Sequence, residues 1–145
     1  MRLNYLLLTF VFVVLGCKNN NVEQEQKEEK KLVMAEVSEM ALLMNEMYAY
    51  NESIKQQIID GSLSNSYPEK FDNIHSAVLT TPSARDLNFE SFSKLFLEAQ
   101  KQVFESPKGE LVMRYNNAIN ACISCHNVKC VGPIPRIKKL LIKQD

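Results

Sequence analysis

Apolar positions recur along most of this chain with the period of an α-helix. From about Lys31 to Asp60 the apolar set is Val33, Val37, Met40, Met44, Met47, Ile54 and Ile58, with Asn51 in the remaining slot. Steps of three and four place these residues on one stripe of a helix. Gly61 follows where a helix C-cap is expected. A second helix is predicted to open at Ser66 or Tyr67, with Pro68 in its first turn and Phe71, Ile74, His75 and Val78 on one face. "TTPSARDLN", Thr80 to Asn88, reads as a loop, and Asn88 can cap a third helix. That helix carries Phe89, Phe92, Leu95, Phe96, Ala99 and Val103. Ser106-Pro107 closes it. A fourth helix follows with Leu111, Tyr115, Ala118, Cys122 and Cys125 at helical steps, and Gly132-Pro133 stops it. The segment "IPRIKKLLIKQD" predicts a short final turn. No stretch alternates as a strand does. Four helices with short connections predict an all-α fold, an antiparallel four-helix bundle.

The first 31 residues break this pattern. Met1-Arg2 is a minimal positive start, and Leu3–Leu15 is nearly all apolar over 13 residues. A bilayer span needs about 20, so the segment reads as the core of a secretory signal. Val14-Leu15-Gly16-Cys17 resembles the lipobox of bacterial lipoproteins. The resemblance implies cleavage before Cys17 and acylation of that cysteine. Each buried methylene of an acyl chain contributes about 0.8 kcal/mol to membrane binding. Lys18 to Lys31 has a single apolar residue, Val22, and reads as a solvated tether. The expected organisation is a lipoprotein signal peptide at 1–16, an acylated Cys and polar tether at 17–31, and one helical domain at 32–145. The expected location is the bacterial cell envelope, lipid-anchored, facing the periplasm or the cell exterior.

Charge changes the picture little. Lys and Arg total 17 and Asp and Glu total 17, a net charge of zero. That gives no support for nucleic-acid binding. The basic run Arg136-Ile137-Lys138-Lys139 is isolated and reads as a solvated face. No nucleophile–base arrangement stands out, so no enzymatic chemistry is expected. Of the four cysteines, Cys17 belongs to the export signal, which leaves Cys122, Cys125 and Cys130. An odd number does not suit a pure disulfide framework.

Candidate chemistry concentrates in "ACISCHN", which contains C-x-x-C-H at Cys122, Cys125 and His126. On a helix, Cys122 and Cys125 share one face. Two thiols so placed can each form a thioether with one vinyl group of a haem, and the adjacent imidazole can reach the iron. An export signal agrees with this, because c-type haem is attached outside the cytoplasm. Zinc is the alternative, with Cys122, Cys125, Cys130 and either His126 or His75 as four ligands. A redox dithiol wants a βαβ context that the pattern lacks. One covalently attached haem c is the favoured reading.

Only 19 residues follow His126, and none is Met or His. A sixth ligand must therefore come from upstream. Helix count, the position of the motif on the last helix and the apolar first helix make residues 33–130 similar to the class II cytochromes c, the cytochrome c′ family. The resemblance implies a haem packed among the helices, with His126 proximal and a distal residue from the first helix. Met44 best matches the distal position, with Met40, Met47 and His75 as alternatives. Arg85, Arg114 and Lys129 are candidate contacts for the haem propionates. Cys130 and the apolar tail depart from the family's pattern, with Cys130 favoured as a small core residue. Two functions follow. One is a membrane-tethered electron carrier that meets redox partner proteins. The other is a five-coordinate protein that binds NO or CO. The resemblance leaves a homodimer open, and a non-haem lipoprotein with a zinc or disulfide clip is the reading outside the family.

Overall fold

A computed structural model of the protein describes residues 36–64, 66–105 and 107–143. The signal, Cys17, the tether and the start of the predicted first helix lie outside the described residues. Three long helices carry the fold: α1 (Glu39–Ile59), α2 (Leu87–Glu105) and α3 (Leu111–Lys129). A one-turn helix, α4 (Ile134–Ile137), and a 3₁₀ turn (Lys138–Leu140) follow. There is no strand among the described residues, and none of their helices is long and apolar enough to cross a membrane. The all-α expectation holds.

Local chemistry explains where the helices begin and end. Ser38 caps α1, its Oγ accepting from the Ala41 amide at 3.3 Å. At the other end Gly61 adopts a positive φ of 66°. Its amide donates to the Ile58 carbonyl at 3.1 Å, and the Ser62 amide donates to the Gln57 carbonyl at 2.9 Å. These are the paired bonds of a Schellman cap, which needs a residue free to turn left-handed. α2 is capped by Asp86 and not by Asn88: Asp86 Oδ1 accepts from the Phe89 amide at 2.9 Å. α2 and α3 are joined by a short turn through Pro107 and the 3₁₀ residues Lys108–Glu110, and they form the most extensive helix pair.

The predicted second α-helix is corrected. In its place stands a seven-residue 3₁₀ helix, Glu69–His75. Phe71, Ile74 and Ala77 are buried, at a spacing of three. In a 3₁₀ helix residues i and i+3 eclipse, so a period of three suits it better than a period of 3.6. Val78, expected on the same face, is 57% exposed. The carbonyls freed at the end of this segment are taken by Arg85, whose Nη1 donates to Ile74 at 3.0 Å and Nη2 to Ala77 at 2.6 Å. Among the described residues there are thus three long helices and not four, with the 3₁₀ segment in the second place along the chain.

Two apolar clusters lie along α1. The first joins Met40, Leu43 and Met47 to Phe71, Ile74, Phe89, Phe96 and Leu97. The second joins Ile54 and Ile58 to Val103, Tyr115, Ala118, Ile119, Ile137 and Leu140. Cys122 packs against both clusters. Of the predicted stripe, Met40, Met47, Ile54 and Ile58 are buried with Asn51 among them, while Val37 lies before the Ser38 cap and is 55% exposed. In α2, Leu95 is 54% exposed and Leu97 takes its place in the core.

Candidate cofactor site

The last two turns of α3 carry the motif. Cys122, Cys125 and His126 are all partly buried and border one cavity of about 460 Å³. That volume is in the range of ligand pockets. α1 contributes Met40, Met44 and Met47 to the same cavity. Leu79, Thr80 and Thr81 close it from the loop after the 3₁₀ helix, and Phe89 borders it from α2. The Met40 amide donates to the Val78 carbonyl at 3.0 Å, which stitches that loop to the start of α1. α4 and the turn after it add Arg136, Ile137 and Leu140. The lining is mainly apolar.

His126 is oriented by its own helix end. Its Nδ1 lies 2.9 Å from the carbonyl oxygen of Cys130. A carbonyl only accepts, so Nδ1 carries the hydrogen and, in the neutral ring, Nε2 is left with the lone pair. That is the arrangement a metal-binding imidazole takes, with its second nitrogen fixed by a backbone carbonyl. Cys130 itself is exposed, which corrects its reading as a small core residue. It leaves the helix in an extended conformation, φ −163°.

Both motif thiols are held neutral. Burial, and then the neighbouring Cys125, push the Cys122 thiol up to about 12. Burial also raises Cys125, against the opposing pull of the Lys129 ammonium. Thiolates are the species that attack disulfides and bind zinc. Among the described residues no three His, Cys, Asp or Glu side chains converge as a metal site.

Two thiols and an imidazole with a free Nε2 border an apolar cavity of ligand size, and three thioethers border it from α1. Asn51 adds one polar group to the lining. Its Nδ2 donates to the Met47 carbonyl at 2.9 Å, while its buried Oδ1 meets no donor among the described residues.

Other expected site residues lie elsewhere. His75 does not border the cavity. Its Nδ1 lies 3.1 Å from Glu90 Oε2, and it borders a separate shallow pocket with Asp72 and Lys101. Arg85 is occupied by the 3₁₀ carbonyls and by Glu90 at 3.5 Å. Arg114 lies three turns before His126 and pairs with Glu110 at 2.9 Å and Gln102 at 2.8 Å. Neither arginine borders the cavity. Lys129 does border it and pairs with Asp86, whose carboxyl the ammonium holds below the usual carboxylate range. Arg136 borders it as well, although it, Lys138 and Lys139 are exposed, as a solvated face requires. Its neighbours Ile137 and Leu140, both buried, carried the signal: a basic run interleaved with apolar residues at helical spacing packs one face. No protein-family model matches this chain, and no curated protein and no solved structure matches it.

Proposed function

We propose that this chain is a membrane-tethered c-type cytochrome that carries one electron. Cys122 and Cys125 would hold the haem through two thioether links to its vinyl groups. His126, through Nε2, and Met44, through its thioether, would be the side chains that hold the iron. The bound haem supplies a one-electron iron couple whose potential follows its axial ligands and surroundings. The protein's part is to retain the group, exclude water with the apolar walls of α1 and α3, and keep its edge within reach of redox partner proteins. Acylated Cys17 anchors it in the bacterial cell envelope. It is a carrier and not an enzyme. The observation that carries this reading is that the C-x-x-C-H face of α3 and the methionine stripe of α1 border the same apolar cavity.

The test is an absorption spectrum of protein matured with haem-attachment machinery, oxidised and reduced, with and without CO. A pyridine adduct typical of two thioethers and a sharp low-spin spectrum indifferent to CO are expected. A broad high-spin spectrum that shifts with CO would replace electron transfer by NO or CO binding at five-coordinate iron. Absence of covalent haem would remove the cytochrome reading altogether.

A further inference from the structure

Among the described residues, one cation at the cavity has no carboxylate partner. Arg136 Nη1 donates to Asn45 Oδ1 at 3.0 Å, and its guanidinium carbon lies 3.7 Å from the centre of the Tyr48 ring. Both partners are on α1, beside Met44. Among the described residues no Asp or Glu pairs with Arg136. The other cation on the cavity wall, Lys129, already has Asp86. Asn45 occupies one of the five guanidinium donors, so the remaining N–H groups stay open. A planar fork held over an aromatic ring is suited to bind a carboxylate through two parallel hydrogen bonds.

The backbone that carries Arg136 is fixed too. Ile137 and Leu140 are buried in the second cluster. Lys55 Nζ donates to the Lys139 carbonyl at 2.8 Å and to the Leu141 carbonyl at 3.2 Å. Asn116 Oδ1 accepts from the Ile142 amide at 2.9 Å, and its Nδ2 donates to the Ile142 carbonyl at 2.8 Å. These bonds tie the segment after α3 to both α1 and α3. Arg136 is exposed as a whole residue, yet its guanidinium is held at the edge of the cavity.

We propose that Arg136 is the anion-binding group of this cavity and takes a carboxylate of the bound cofactor, with Tyr48 and Asn45 as positioning residues. The inference rests on the haem reading, since a haem brings two propionates. It makes residues 133–142 a wall of the cofactor site.

The test uses the full chain with Cys122→Ala and Cys125→Ala, so that binding is reversible. It is titrated with ferric protoporphyrin IX and, separately, with the dimethyl ester, in which both carboxylates are masked. The free acid is expected to bind at least about tenfold more tightly than the ester, equivalent to about 1.4 kcal/mol. Arg136→Gln should remove that preference, and Arg136→Lys should restore part of it. Equal affinity for acid and ester, or a preference unchanged by Arg136→Gln, overturns the proposal. A helical chain that binds neither porphyrin overturns it together with the cytochrome reading. Should the cysteine-free chain not fold, the covalent holoprotein decides. Its midpoint potential should fall in Arg136→Gln, because the lost cation no longer disfavours the oxidised iron, and recover in Arg136→Lys. An unmoved potential overturns the proposal.

Discussion

His126 and Cys130 hold each other through two hydrogen bonds: the Cys130 amide donates to the His126 carbonyl at 3.0 Å, and His126 Nδ1–H donates to the Cys130 carbonyl at 2.9 Å. The first bond closes the last turn of α3. The second fixes the imidazole. Both use the backbone of Cys130, so its thiol is dispensable. Cys130→Ala should leave the spectrum and midpoint potential of the holoprotein unchanged. Cys130→Pro removes the amide hydrogen and forces φ toward about −65°, away from −163°. It should release the ring and weaken the axial bond, in line with the roughly 10–100-fold losses that follow removal of such outer partners. Equal effects from the two variants would refute the backbone account.

Arg85 has a structural task away from the cavity. It clasps the Ile74 and Ala77 carbonyls and pairs with Glu90. Bonds from a charged donor contribute about 1.5–3 kcal/mol each in favourable cases. Partial exposure lowers that figure here, and Arg85→Ala is expected to cost about 2 kcal/mol in urea unfolding. The haem spectrum should not change. A spectral shift with unaltered stability would return Arg85 to the cofactor site.

Much of this architecture was legible in the sequence, for identifiable reasons. The stripe Met40–Met47–Ile54–Ile58 is buried because steps of three and four line up on an α-helix. Gly61 ends α1 because a left-handed turn favours glycine. C-x-x-C-H was found from its local spacing, and that spacing sits on α3 as expected. The misses concern what local spacing does not encode. Phe71 and Ile74 fit an α-helical face with His75 and Val78 as well as a period of three with Ala77, and only the packing selects the latter. Arg85, Arg114 and Arg136 are alike as letters. Which one reaches the cavity depends on long-range packing, through Lys55 and Asn116, that no short window contains.

The buried thiol gives the protein a pH dependence before haem is attached. Cys122 has its folded pKa raised from 9.0 to about 12, chiefly by burial. Between those values the folded state binds more protons than the unfolded state. Stability therefore falls as pH rises through that window and is fully present below it. Burial raises Tyr115 as well, with the same sign. Comparing haem-free protein with Cys122→Ala isolates the thiol. The stability difference between the two in urea should shrink from pH 8 to pH 11. A difference that stays constant across that range would mean the thiol is not desolvated.

Three methionines border the cavity, but they differ in burial. Met40 and Met47 are each 6% exposed and belong to the first cluster, while Met44 is only partly buried and packs against it. A thioether that fills the core and one that binds iron should respond differently to truncation. Met40→Ala and Met47→Ala leave a void in a packed core and should each cost about 2–4 kcal/mol. Their holoproteins should stay low-spin, because neither side chain is the proposed ligand. Met44→Ala should cost less stability, since the side chain has less surface to lose. It should convert the spectrum to high-spin and open the reduced protein to CO. The three holoproteins are compared by absorption spectra with and without CO, alongside urea unfolding. If Met44→Ala remains low-spin while Met40→Ala or Met47→Ala turns high-spin, the distal ligand is reassigned one turn along the same face of α1. If all three remain low-spin and indifferent to CO, the sixth ligand does not come from this stripe.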